Sequence, residues 1–379
     1  AFIRIPRRAR ESHAPSRDVT RKNSARAMSL TSSIARAGPL ARASRSKTRD
    51  APNPSSSSSS TRGRVTERSR PIRSSSSADV IDADASDRDP STARRVRASA
   101  ASNPIVILSG FGNCSSDYDD ALGNADASLV RSLERRGFAV RVARVERNDW
   151  FVGILRGIFT RGFWMNACTT RESYGWYLER VDEAVREALR ENPGATGVDL
   201  VAHSAGGWLA RAFIGGALAL NEDGAERSAN ELRRDERVRR LVCLGTPHEQ
   251  DAKSDPTRGA SKWVNETWPG AYYEPDVTYA CVTGRAVIGN ASAEPKTVGK
   301  YAAGSYAVVG GGDGDGVEGD AVVPNSAALA LKGAEMIVVD GCWHSMSTVG
   351  TFDQPSEHAW YGSDVVVDRW LKVLERARE

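Results

Sequence analysis

Asp199-Leu200-Val201-Ala202-His203-Ser204-Ala205-Gly206-Gly207 is the stretch whose reading decides the fold. An apolar run from Val198 to Val201 enters it as a short strand, and a helical pattern leaves it from about Gly206 to Leu220. A serine stands at the turn with small residues two positions to either side, Ala202 and Gly206. Bulk at those flanks would collide with neighbouring backbone, so the pattern fits the tight strand–turn–helix that exposes a nucleophilic hydroxyl. The same turn aims the Ala205 N–H and the helix N-terminus at any charge developing on a reacting oxygen.

Short apolar runs alternate with amphipathic segments on both sides of this turn. Strands are expected at Ile105–Leu108, Phe138–Val145, Val238–Leu244, Val277–Val282 and Met336–Val339. Helices are expected at Ala127–Arg136, Tyr174–Glu191 and Ser363–Arg378. Fully apolar strands between helices imply an α/β fold with a mostly parallel sheet covered on both faces. Segments 149–170, 246–276 and 284–318 interrupt the pattern, and such insertions belong at the C-terminal strand ends where ligands bind. Residues 101–379 therefore read as one catalytic domain with a cap or lid insertion.

The first hundred residues differ sharply from the rest. They carry 22 of the 52 Lys and Arg but only 9 of the 48 Asp and Glu, with 22 Ser and a single aromatic, Phe2. So little apolar surface cannot offset chain entropy, and residues 1–98 are expected to be disordered. Arg-rich, Ser-rich and acid-poor composition matches an organelle transit peptide, with Val96-Arg97-Ala98-Ser99 resembling a processing site. Chloroplast is the expected destination and mitochondrion its rival; a solvated linker without an address is the plain alternative. Met28 opens a transit-like start, so residues 1–27 are expected to be an extension of the gene model. With the basic charge confined to this tail and no aromatics interleaved for stacking, a nucleic-acid partner is not expected.

Five cysteines at 114, 168, 243, 281 and 342 form no CxxC pair and are expected to be free thiols. No apolar run reaches the roughly 18–20 residues of a membrane-spanning helix. The stretch Gly310–Gly316 fails the calcium-loop spacing because Val317 stands where Asp or Asn is required, so no metal site is expected there.

A serine nucleophile needs a base, and five histidines leave few candidates. His13 is in the tail, and His203 occupies the variable position of the turn, expected to point away from the reactive face of Ser204. His248 follows a strand in Gly245-Thr246-Pro247-His248, and His344 follows the last strand in Asp340-Gly341-Cys342-Trp343-His344. Chain order and position favour His344, with His358 as competitor. For the orienting acid, Asp320 in Gly319-Asp320-Ala321-Val322-Val323-Pro324 leads Asp315 and Asp340. Ser109-Gly110-Phe111-Gly112 after the first strand supplies the second backbone donor, Phe111.

The ordered set GFGN, AHSAGG, GTPH, GDAVVP, DGCWHS and Trp360-Tyr361-Gly362-Ser363 resembles the α/β-hydrolase superfamily, nearest to lipase-like members of plant and algal plastids. That resemblance spans nearly all of 101–379 and implies Ser204 as nucleophile, Asp320 as acid, His344 as base, and Phe111 and Ala205 as oxyanion donors. Departures are Ala202 and Ala321 where Gly is usual, and Ser109 where many members have His. The chemistry implied is ester hydrolysis through an acyl-enzyme, with no metal or organic cofactor. A non-catalytic ligand receptor on the same fold, or an acyltransferase or thioesterase with the same triad, is the alternative.

Trp150-Phe151-Val152-Gly153-Ile154-Leu155-Arg156-Gly157-Ile158-Phe159, followed by Phe163-Trp164-Met165, is an apolar aromatic insertion. Trp150, Phe151, Phe159 and Trp164 are the candidate acyl-binding residues, for a lipid or another apolar ester. The same segment suits peripheral contact with a membrane surface, or a cap that packs on the cleft rim without touching lipid.

Overall fold

The computed structural model describes residues 103–376 apart from 122–127, 222–230, 252 and 254, all within one unit that spans Ala85–Glu379. The Ser/Arg-rich segment 1–98, with the transit role, the processing site and the 1–27 extension read from it, lies outside the described residues.

Six strands build the main sheet: β1 (Ile105–Leu108), β2 (Val140–Val142), β3 (Val198–His203), β4 (Val238–Leu244), β5 (Thr278–Arg285) and β6 (Glu335–Asp340). Their spatial order is β2-β1-β3-β4-β5-β6, and every neighbouring pair is parallel. The expected α/β fold is therefore the observed one.

Alternation along the strands explains their continuous apolar sequence. Val106, Leu108, Leu200, Ala202, Leu241 and Cys243 face one buried cluster, while Ile105, Ile107, Val201, Val242 and Leu244 face the other. A sheet buried on both sides has no polar face to alternate with. Helices α5 (Thr170–Glu191) and α6 (Ala205–Ile214) cover the first face; α2 (Leu129–Glu134) and α9 (Asp364–Trp370) cover the second. On α5 the inward stripe is Tyr174, Tyr177, Leu178, Val181, Ala184, Val185 and Ala188. A Thr169–Glu172 capping box starts that helix four residues before the periodicity alone suggested.

The insertions after strands contain short helices: α1 (Ser116–Asp119) after β1, and α3 (Arg147–Ile158) and α4 (Arg161–Trp164) after β2. Further along lie α7 (Ala260–Thr267) after β4 and α8 (Val298–Gly310) between β5 and β6. Several boundaries differ from the sequence expectation: β2 is shorter than expected, and the expected last helix is split into Asp364–Trp370 and Lys372–Glu375. Two further shifts have clear reasons. Strand β3 runs on to His203 because Ala202 and His203 pair with Cys243 and Leu244 of β4. Helix α6 stops at Ile214 because Gly216 adopts φ +85°, which ends the helical path.

Chain connections leave β1 toward β2 on one side, whereas β3 lies on the other. This is the topological switch point of the sheet, and the crevice beyond its C-terminal strand ends is where open α/β folds place ligands. The loop after β1 and the turn after β3 meet there.

All five cysteines are free and buried. Among the described residues no helix is long and apolar enough to cross a membrane, and no cluster of His, Cys, Asp and Glu could hold a metal ion.

Candidate active site

Ser204 sits between β3 and α6 with φ 52° and ψ −127°. A positive φ is costly for a residue with a Cβ, and such strain persists only where the surroundings impose it. Here the Ser204 amide donates to the Leu244 carbonyl at 2.8 Å, which ties the turn to β4. A Cβ added to Gly206 would stand 2.9 Å from the carbonyl oxygens of both Leu108 and Ser109. Only glycine permits this approach of α6 to the end of β1, which is the physical content of the small residue after the serine. Ala202 is fully buried in the sheet.

His344 lies four residues beyond β6, directly after a two-residue strand at Cys342–Trp343, and its Nδ1 is 2.7 Å from Asp320 Oδ2. Its own amide donates to the Asp320 carbonyl at 2.9 Å, so the two residues are joined through backbone and side chain. Asp320 is fully buried and saturated with donors. Oδ1 accepts from the amides of Val322 at 3.0 Å and Val323 at 2.7 Å, and Oδ2 accepts also from the Tyr361 hydroxyl at 2.8 Å. Burial alone pushes the Asp320 carboxyl upward, but the His344 ring, the Val323 amide and the Tyr361 hydroxyl outweigh it and hold the group below its ordinary value. Ala321, in the position where the resemblance implies glycine, adopts φ +82°, so this turn needs the left-handed region that glycine reaches without strain.

The competing residues are engaged elsewhere. Asp315 accepts the Ala291 amide at 2.7 Å, and Asp340 pairs with Arg285 at 2.6 Å on the surface. His358 Nε2 meets the Ser345 carbonyl at 2.8 Å, and its ring lies against Trp343. His248 is buried beside Cys281 Sγ, 3.3 Å from its Nε2. Of the candidate acids and bases, only Asp320 and His344 are joined to each other.

The loop after β1 is held at four points. The Gly110 amide donates to the Tyr118 hydroxyl at 2.9 Å, and the Asn113 amide closes back on the Gly110 carbonyl at 3.1 Å. Tyr177 of α5 donates its hydroxyl to the Ser109 carbonyl at 2.7 Å, and Trp150 Nε1 donates to the Asn113 carbonyl at 2.9 Å. Phe111 is half-buried, its ring edge-on to Trp150 at 5.3 Å. Ala205 opens α6, where the first amides of a helix have no intrahelical acceptor. A histidine in place of Ser109 is unnecessary for fixing this loop, since Tyr118, Tyr177 and Trp150 already do so.

The four aromatic residues of the insertion part company. Trp150 is 1% exposed and packs on Phe111, Trp176 and Tyr177, whereas Phe151, Phe159 and Trp164 are 53, 83 and 71% exposed. The inner face of α3 is Trp150, Gly153 and Gly157, and Val152, Leu155 and Met165 join the exposed aromatics outside.

Sequence reasoning missed Tyr118, Tyr177 and Tyr361. Tyr361 was visible within the late Trp-Tyr-Gly-Ser motif, but nothing local announces that a tyrosine hydroxyl will reach a carboxylate 41 residues away.

A six-stranded parallel sheet with a strained serine turn at its switch point, and a buried Asp–His pair in the loops beyond the same strand ends, has the architecture of an α/β hydrolase. Residues 105–357 match the model of the alpha/beta hydrolase family, and the chain belongs to that family. It is similar in structure to lipase 1 from Pelosinus fermentans, at 13% identity over 74% of this chain and 100% of that one, with a TM-score of 0.41. It is similar also to phospholipase PlaB from Legionella pneumophila in complex with thio-NAD, at 13% identity over 72% of this chain and 61% of that one, TM-score 0.40. A third similar structure is dienelactone hydrolase from Anabaena variabilis, at 14% identity over 72% of this chain and 87% of that one, TM-score 0.35. No curated protein matches the chain.

Proposed function

We propose that this chain hydrolyses carboxylic esters with apolar acyl groups through an acyl-enzyme on Ser204. The observation that carries this reading is the Asp320–His344 pair, 2.7 Å apart and buried, beyond the same C-terminal strand ends as the strained Ser204 turn. With the Nδ1 proton directed to Asp320, His344 Nε2 is the lone pair that takes the Ser204 proton as Oγ attacks the ester carbonyl. The amides of Phe111 and Ala205 hold the resulting oxyanion. His344 then returns its proton to the departing alkoxide, and water, activated by the same nitrogen, releases the acid. The scheme calls on no metal or organic cofactor.

The exposed ridge of Phe151, Val152, Leu155, Phe159, Trp164 and Met165, beside Arg156 and Arg161, supports a lipid or other apolar ester as substrate and peripheral contact with its surface. Wild-type protein should co-sediment with liposomes of galactolipid or anionic lipid, and Phe159→Ser with Trp164→Ser should abolish this; retained binding would count against the surface role. The composition of residues 1–98 supports delivery to a chloroplast, with mitochondrion as the alternative. A fluorescent fusion of that segment, imaged in algal or plant cells, separates the two.

The deciding experiment treats full-length wild type and Ser204→Ala with a fluorophosphonate probe and medium-chain nitrophenyl esters. Labelling at Ser204 and a loss on the order of 10⁶ in kcat in the variant is the expected result. Labelling without turnover points to an acyltransferase lacking its acceptor or to a receptor. Absence of labelling in folded protein removes the triad reading.

A further inference from the structure

His203 precedes the serine, and its ring is buried with both nitrogens engaged. Nε2 is 2.8 Å from the His344 carbonyl, and Nδ1 is 2.8 Å from the Tyr118 hydroxyl. A carbonyl can only accept, so Nε2 carries the proton. Burial, with His344 nearby, pulls the His203 pKa down to about 3, so the ring is neutral and Nδ1 bears a lone pair. Tyr118 must then donate to Nδ1, and its oxygen is left to accept from the Gly110 amide at 2.9 Å and from Asn113 Nδ2 at 3.1 Å. Every donor and acceptor in the chain has one assignment.

We infer that His203 and Tyr118 form a hydrogen-bonded bracket that holds the His344 loop and the Gly110 loop in fixed register on either side of Ser204. The inference rests on the ester-hydrolase reading above and assigns these two as positioning residues, since neither is placed against the reacting atoms. The packing agrees with the bonding. The His203 ring lies against the His344 ring at a centroid distance of 4.7 Å. A Cβ on Gly110 would stand 3.1 Å from His203 Nδ1 and 2.7 Å from Ser204 Cβ. The titratable groups packed on the His203 ring are Tyr118, His344 and Tyr361, and Asp320 lies close enough to act on it electrostatically. Base, nucleophile turn and oxyanion loop come from separate parts of the chain, and this bracket spans all three. Errors of about 1 Å in such positioning cost on the order of 10²-fold in rate.

Tyr118→Phe in the full chain tests this, because it removes one oxygen, keeps the ring, and leaves His203 Nδ1 and the Gly110 amide unpaired. The expected result is a fall on the order of 10²-fold in kcat per fluorophosphonate-titrated serine, with KM little changed. A role in folding alone would lower the titratable fraction and Tm while leaving kcat per titrated serine at the wild-type value, and that result overturns the inference. Hydrogen exchange gives a readout independent of turnover. Peptides containing Gly110 and peptides containing His344 should both lose protection, and deprotection confined to the Gly110 side also overturns it. If wild type shows no esterase activity, the functional reading fails while the exchange result still decides the bracket. Should Tyr118→Phe fail to fold, His203→Gln, which keeps a donor for the His344 carbonyl, takes its place in the same two measurements.

Discussion

The Tyr361 hydroxyl stands 2.8 Å from Asp320 Oδ2, the same carboxylate oxygen that faces His344 Nδ1. Its own oxygen accepts the Gly284 amide at 2.8 Å, so Tyr361 links the C-terminal region to the end of β5 through the candidate acid. The carboxylate thereby meets the histidine in one fixed orientation. Within the reading of Asp320 as orienting acid, this shared oxygen makes stability and activity depend on the same group.

That coupling has a defined pH sign. Asp320 is held below the ordinary carboxylate value in the folded protein, so it contributes stability above its unfolded pKa of about 3.9. The contribution is lost as pH falls through the lower folded value. Tyr361→Phe removes a donor to the ionised form and raises that value, so the acid-unfolding midpoint should move to higher pH. Far-UV circular dichroism across an acid titration checks this; an unmoved midpoint would show that Tyr361 does not support the charge. At neutral pH the variant should lose about 1–3 kcal/mol, since the buried Gly284 amide is left unpaired.

Asp320→Asn keeps the shape and two acceptor sites but offers an amide hydrogen to His344. The histidine then turns its lone pair toward residue 320 and its proton toward the serine, which is the unproductive tautomer. Turnover of nitrophenyl esters should fall on the order of 10⁴-fold at neutral pH. Wild-type rates in this variant would show that Asp320 does not orient the base.

Gly110→Ala should damage the site without unfolding the sheet. The added Cβ would meet Ser204 Cβ at 2.7 Å, and Ser204 is already pinned by its strained turn. The Gly110 loop must yield instead, taking the Phe111 amide with it. If the Phe111 amide is an oxyanion donor, as proposed, its displacement costs on the order of 10²–10³ in kcat. Steady-state kinetics beside a thermal melt distinguish this from general destabilisation.

A contrasting prediction concerns the opposite end of the sheet. Arg240 Nη1 lies 2.9 Å from Asp199 Oδ2, and both side chains are buried between β3 and β4. Arg240→Leu takes the guanidinium away from the buried Asp199 carboxylate and should cost about 3–5 kcal/mol. Leucine at both positions should recover part of that loss. Urea denaturation measures both, and kcat per titrated serine should stay at the wild-type value because the pair is remote from the C-terminal strand ends.

Much of this was legible in the chain itself, and for a local reason. Parallel strands buried on both faces must be continuously apolar, so Ile105–Leu108 and the 241–244 run of the fourth strand declare themselves within a few residues. The serine turn is equally local, because its steric demands fall on residues two positions away. Asp320 and His344 could be ranked by order along the chain, but not joined. Their pairing against Asp315, Asp340 and His358 required the backbone between them to be placed. The division of the aromatic insertion into an inward Trp150 and an outward Phe159 was likewise beyond local pattern, because α3 carries apolar residues on both faces. Least legible were Tyr118, Tyr177, Tyr361 and the neutral His203. Each tyrosine acts by its hydroxyl and His203 by its two ring nitrogens, from a buried ring on partners distant in sequence or in another loop. Composition and spacing determine which residues must be buried and where the chain must turn. Which hydroxyl meets which carbonyl, carboxylate or imidazole is a property of distance in three dimensions, and only the packed sheet decides it.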